Sequence, residues 1–251
     1  LLLGVPLVIL LFLGIQYLIN HKWDDEVPPM VEEPLKTAPT KARLGLLPGQ
    51  IADKFLAAST LQERLRWVRQ PAEVSALMEH FYRDGPGSME TIADFHEMPP
   101  AATEDHAFER FMVSMADGSK RLLCIPFEES GNAFGVDFKS YARHCSEDWS
   151  KVLDGSAAKA DEMRVFLKQG SYYNYEFADE SEWLCLIATS PELENPIYLY
   201  ARKNNPDLLL FIHNPPKQSL RYTVALENSG QSHLNRQWQL TRVHATSWVA
   251  P

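Results

Sequence analysis

Four side chains have the residue types for acid–base chemistry: Asp94 and His96, two residues apart, and Asp137 and Tyr141, four apart. A carboxylate beside an imidazole, or a phenol beside a carboxylate, moves protons when a pocket brings the pair together. The spacing itself does not demand a pocket. The plainer reading sets Asp94 and His96 at a strand end and makes Asp137 the cap of the helix that follows. A second set is aromatic: Tyr172, Tyr173, Tyr175, Phe177 and Trp183. Such rings stack on sugars or on nucleic-acid bases, which makes Tyr173 and Trp183 candidate ligand contacts. Along a strand, alternate side chains point inward, so about half of these rings are core.

Metal and nucleophile chemistry find less support. His80, His96 and His106 are spaced by 16 and 10 residues, which fits no ligand pattern, and neither metal nor cofactor is implied. His144 and Cys145 are adjacent, so on a helix they point about 100° apart and cannot form a nucleophile–base pair. Cys124 and Cys185 fall on strands and read as small buried apolar residues. Three cysteines leave one over if a single disulfide forms. The chain holds no G-x-S-x-G, P-loop, H-E-x-x-H or G-x-G-x-x-G. Gly85-Pro86-Gly87 is a turn, because Pro86 lacks the N–H that a phosphate cradle would use.

The elements that must position these groups follow from composition and pattern. The chain has 251 residues, 45% of them hydrophobic, and a net charge of −9, enough for one large or two small domains. Residues 50–159 hold 12 Lys/Arg against 18 Asp/Glu, and residues 160–251 hold 8 against 10. No segment is basic, which argues against nucleic acid and anionic lipid headgroups as specific partners. Residues 1–19 carry no charge. As a helix they would reach about 28 Å, so the sequence predicts a transmembrane helix over residues 1–20. The bulky, charged residues 20–26 do not resemble a signal-cleavage site. Their acidic character predicts a soluble part outside the cytoplasm, in a bacterial periplasm. Pro28, Pro29, Pro34, Pro39 and Pro48 predict an extended linker over residues 21–50.

From Ile51 the apolar spacing is helical. Thr60-x-x-Glu63 is a capping-box match, and Pro71 opens a helix bearing Val74, Leu77, Met78, Phe81 and Tyr82, which Gly85 ends. Strands over 108–115 and 120–127 flank Asp117-Gly118, a two-residue hairpin signal. A short strand over 134–137 and a helix over 138–153 follow. Helices and then a curved antiparallel sheet predict an α+β domain of the cystatin or NTF2-like kind over residues 51–158. Some NTF2-like cones are enzymes that use Asp/His or Tyr/Asp pairs in an internal pocket, hence the interest in Asp94, His96, Asp137 and Tyr141.

Within this region, KFLAASTLQERLRWVRQPAEVSALMEHFYRDGP resembles the opening of uncharacterised bacterial single-pass membrane proteins, in which a "FLAA–T–EE–L–VR–P–V–LM–YY" pattern follows a membrane helix and linker. VDFKSY at residues 136–141 is similar to the strand end that closes their first domain. The matching positions are packing and capping residues. The resemblance therefore implies an anchor and an architecture, and it carries over no catalytic residue.

Residues 159–251 read strand, strand, strand, helix, strand, strand, the order of a β-rich OB-like domain. The strands are placed at 163–177, 183–189, 197–202, 220–227 and 237–248, with a helix over 206–213. Together these readings predict a membrane-anchored, non-enzymatic interaction or scaffold protein, an accessory subunit of a larger envelope complex. Its partners would be other protein subunits or further copies of the chain. The alternatives are a ligand-binding or hydrolytic pocket in the first domain, and a glycan-binding module in the second.

Overall fold

A computed structural model describes residues 46–103, 107–127, 135–228 and 236–250. The described chain is α+β, a helix-covered antiparallel sheet followed by a closed β-barrel. The fold class is corrected to this α+β pair without a transmembrane helix, since none is shown. Among the described residues no helix is long and apolar enough to cross a membrane, and residues 1–20 lie outside them.

Helix α1 (Pro48–Ala57) begins inside the stretch read as linker. Proline tolerates the first helical turn, where its missing N–H has no intrahelical partner to lose. The Gln50 side chain accepts from the Leu47 N–H at 2.9 Å. Helix α2 (Leu61–Leu65) carries the expected reciprocal cap: Glu63 N–H donates to Thr60 Oγ1 at 3.2 Å and Thr60 N–H to Glu63 Oε2 at 3.2 Å. Helix α3 (Pro71–Arg83) buries Val74, Met78 and Phe81, and the Gly85 N–H closes it on the His80 carbonyl at 2.8 Å.

Three strands form the sheet in the order β1 (Ile92–Ala102), β2 (Ala107–Met115), β3 (Lys120–Pro126). Among the described residues this replaces the larger cone of a cystatin or NTF2-like fold. The expected strand at 134–137 is reduced to one parallel bridge between Val136 and Val68. The β2–β3 turn takes three residues rather than two. Gly118 N–H donates to the Met115 carbonyl, and Gly118 sits at φ +86°, which a side chain would strain. Ile51, Phe55, Met78, Phe81, Val113, Leu123, Ile125 and Phe138 pack the core between helices and sheet.

The helix expected over 138–153 is two short ones, α4 (Phe138–Tyr141) and α5 (Trp149–Leu153). Arg143 between them adopts φ +50°, which no helix accommodates. Asp148 caps α5 through the Ser150 N–H at 2.8 Å. Val152 then joins the core of the barrel.

The barrel closes in the order β4-β5-β6-β8-β7. Its strands are β4 (Lys159–Gln169), β5 (Trp183–Thr189), β6 (Ile197–Arg202), β7 (Leu220–Glu227) and β8 (Gln237–Ala245), with β6 and β8 parallel. A 3-10 turn (Pro206–Leu208) and helix α6 (Leu209–His213) lie between β6 and β7. Strand alternation sends Val165, Leu167, Leu184, Leu186, Leu199, Val224, Trp238 and Leu240 inward.

Buried arginines tie sheet and barrel together. Arg143 Nη1 donates to Glu192 Oε1 at 3.2 Å, and Arg121, bonded to Glu90, lies 3.9 Å from the same Glu192 oxygen. Arg164, fully buried, donates to the Trp248 carbonyl at 2.8 Å and pairs with Glu162 at 2.8 Å. Trp248 Nε1–H donates to the Val165 carbonyl at 3.1 Å, and Arg69 reaches the Ala250 carbonyl at 3.0 Å. Residues 247–250 thus strap both halves.

Candidate functional site

The four acid–base candidates separate into two places. Asp94 and His96 are exposed on strand β1, opposite Ser114 and Met112 of β2. Asp137 and Tyr141 are buried at α4. Asp137 Oδ1 accepts the Ser140 N–H at 2.8 Å, a cap bond, and Oδ2 lies 3.5 Å from Arg69 Nη1. Tyr141 sits in a ring cluster, edge-on to Phe55 at 5.5 Å, and burial pushes its hydroxyl far above the usual phenol range. The structure therefore brings Asp137 and Tyr141 onto one short helix and leaves Asp94 and His96 elsewhere.

Among the described residues no three His, Cys, Asp or Glu side chains lie close enough to hold a metal. His80 and His96 are exposed, and His106 lies outside the described residues. The three cysteines are free. Burial raises the Cys124 thiol to about 12 and the Cys145 thiol to about 11, so both stay protonated and poor nucleophiles at neutral pH. His144, beside Cys145, is held down to about 4 by burial and by Arg164. Burial alone would raise the neighbouring Glu162. The cations Arg164 and Lys139, the latter 2.9 Å away, reverse this and bring it to about 2. This pair belongs to the seam between sheet and barrel, where Cys145 bridges Met163 and the Ser146 N–H donates to the Glu162 carbonyl at 2.8 Å.

The aromatic set behaves differently. Strand β4 ends at Gln169, so residues 170–182 form a loop and not the expected continuation of a strand. The loop folds over the outer face of β5 and β6. On that face the pairs Trp183/Arg202, Cys185/Tyr200 and Ile187/Tyr198 lie side by side, with Gln237 of β8 beside Tyr198. Phe177 of the loop stacks on Tyr200 with centroids 4.0 Å apart and planes 3° from parallel, and meets Trp183 edge-on at 4.9 Å. Tyr173 Oη accepts the Cys185 N–H at 3.2 Å, and Tyr172 pairs with Tyr198 at 4.7 Å. Tyr200 Oη donates to the Tyr172 carbonyl at 2.8 Å and accepts from Gln237 Nε2 at 2.9 Å. Burial, with Cys185 nearby, raises the Tyr200 hydroxyl.

No family model, curated protein or solved structure matches the chain. What the face can do follows from its side chains. Tyr173 and Trp183, both singled out by composition, do meet in one cluster. Tyr198, Tyr200 and Gln237 escape a sequence reading, although the alternation in Ile197-Tyr198-Leu199-Tyr200-Ala201 marks two tyrosines that point away from an aliphatic interior. Flat rings with a few polar groups between them are suited to holding another ring by contact and hydrogen bonding.

Proposed function

We propose that residues 46–250 form a non-catalytic interaction module whose partner is a protein surface, in the role of an accessory or scaffold subunit. One observation carries this reading. Helix α6 presents Leu210 at 85% and Leu209 at 41% exposure, on a rigid support. Asn205 caps the turn before the helix through the Asp207 N–H at 3.0 Å, Leu208 is buried in the barrel core, and Phe211 packs edge-on against Tyr222 at 5.5 Å. Leu210 gains about 1.5–3 kcal/mol when fully buried against a partner, and the already half-covered Leu209 gains less. The spending of Asp137 on a helix cap and of Tyr141 on a ring cluster supports a scaffold reading over an active-site one.

Native mass spectrometry of the full chain, alone and as purified from its own cells, tests the reading. The wild type is expected to retain stoichiometric partner chains or to self-associate. Leu210→Asp is expected to lose that association at least tenfold with an unchanged melting temperature. A wild-type chain that stays monomeric and unaccompanied, or a Leu210→Asp variant that associates as before, overturns it.

A further inference from the structure

We propose that the outer face of β5, β6 and β8 is a binding site for a neutral saccharide, and that the 170–182 loop is its resting occupant. The loop treats the face as a ligand would. A ring from outside the barrel wall, Phe177, lies parallel on Tyr200 at 4.0 Å, and the loop's polar bonds to the face run mostly through hydroxyls and side-chain amides. Regular sheet pairing is absent: Gly170 N–H donates to the Cys185 carbonyl at 3.0 Å, and past that point the loop leaves the ladder.

Two further observations show that this closure is imperfect. Gln237 is 97% buried, since only 3% of it is exposed, and its Oε1 has no hydrogen-bond partner although its Nε2 serves both Asn174 and Tyr200. A buried carbonyl left without a donor costs about 1–3 kcal/mol, which a hydroxyl or N–H from a ligand recovers. Tyr175 is held at φ +49° and is 64% exposed. A non-glycine residue in that region stores strain of about 1–3 kcal/mol that its own packing does not repay. Gly170 supplies the hinge: a Cβ there would come within 2.9 Å of Ile187 and 3.0 Å of Cys185, so only glycine lets the chain fold back this closely.

The chemistry of the site selects the class of occupant. Tyr198, Tyr200 and Trp183 offer flat apolar surfaces to the C–H face of a pyranose, and the Gln237 amide, freed from Asn174 when the loop leaves, offers Oε1 and Nε2 to its hydroxyls. Anionic ligands are disfavoured. The loop carries Glu176, Asp179, Glu180 and Glu182, while Arg202 is committed to the Trp183 ring at 4.8 Å and the Lys203 ammonium to the Glu180 carbonyl at 2.6 Å. That arrangement repels phosphate backbones and acidic sugars alike.

Isothermal titration of the full chain with chitotetraose, cellotetraose and maltotetraose, against a short oligothymidine and an oligogalacturonate, tests the site. At least one neutral tetrasaccharide is expected to bind. Phe177→Ala removes the internal competitor and is expected to tighten binding about tenfold, the gain when the open fraction rises from about a tenth towards one. Tyr198→Ala and Gln237→Leu are expected to weaken it about tenfold or more. In hydrogen exchange on the wild type, the Cys185 and Phe177 amides are expected to exchange faster once the bound tetrasaccharide displaces the loop, a readout that does not depend on any variant folding. Absence of neutral-saccharide binding by both wild type and Phe177→Ala, binding indifferent to Tyr198 and Gln237, preference for the anionic probes, or unchanged Cys185 and Phe177 exchange on binding overturns the proposal.

Discussion

The sheet half and the barrel use aromatic residues in opposite ways. In the sheet half, Phe55, Phe81, Phe138 and Tyr141 come from three separate helices and meet edge-on inside the core, between helices and sheet. In the barrel the interior is aliphatic apart from Trp238 and Tyr222. Tyr172, Tyr173 and Phe177 of the loop gather instead with Tyr198, Tyr200 and Trp183 on the outside of the wall. Rings in the first place define how elements pack. Rings in the second are surplus to barrel closure and cover one another.

This contrast is sharpest in what it costs to remove a ring. Phe81→Ala leaves a void bounded by α3, α4 and the Arg121 guanidinium 4.9 Å from the ring, with little room to collapse. A loss of about 4 kcal/mol in chemical denaturation is expected. Phe177→Ala takes one ring from a loop on the outer side of the wall, where the freed loop and solvent leave no enclosed void, and the expected loss is about 1–2 kcal/mol, since the cost follows how well a site relaxes. Equal losses would place the loop rings in the structural core and erase the distinction.

The seam offers the next largest effect. Arg164→Ala leaves Glu162 without its nearest cation and the Trp248 carbonyl without its donor. A cost of about 3 kcal/mol is expected, with both halves losing structure in one transition by circular dichroism and tryptophan fluorescence. Separate transitions would show that the halves do not rely on the strap.

Acid acts on the same seam. His144 has a folded pKa of about 4, below its unfolded value of 6.5, so the unfolded chain binds the extra proton and stability is lost as pH falls from 6.5 through 4. Glu162, held at about 2 against an unfolded 4.5, continues the loss from pH 4.5 downwards. Denaturation midpoints are expected to fall by the equivalent of about 2 kcal/mol between pH 6.5 and 4. His144→Gln is expected to flatten that upper limb and leave the lower one. A flat wild-type profile across the window would mean that neither group is shielded as drawn.

Much of the barrel is legible in the sequence because its signals are local. Strands β5, β6 and β7 span the residues that their apolar runs predict. Strand β1 is legible only as a strand end at Asp94 and His96, whereas it runs on from Ile92 to Ala102. Its apolar positions Ile92, Phe95 and Met98 recur every third residue, because bulges between Ile92 and Asp94 and between Met98 and Ala101 break the two-residue alternation, and Pro99 and Pro100 argue against a strand. The helix read over 138–153 fails at Arg143, whose left-handed backbone is held by tertiary bonds to Lys120 and Glu192 that no local pattern reveals. The aromatic loop reads as strand because tyrosine and phenylalanine favour strands. Only the three-dimensional face shows that these rings cover β5 and β6 and do not extend β4.

The smallest expected effect bears on the acid–base reading with which the residue types began. Asp94 and His96 share one face of an edge strand, exposed, opposite Ser114 and Met112, and away from Asp137 and Tyr141. Strand β1 pairs only with β2 among the described residues, and charges along such an edge discourage unwanted pairing by other chains. Asp94→Ala and His96→Ala are therefore expected to change stability by no more than about 0.5 kcal/mol, to leave saccharide and partner binding unaltered, and, in the double variant, to increase aggregation on storage, measured by light scattering. A loss of any binding activity in either single variant would return these two residues to a functional site and weaken the contrast between a structural sheet half and a ligand-facing barrel.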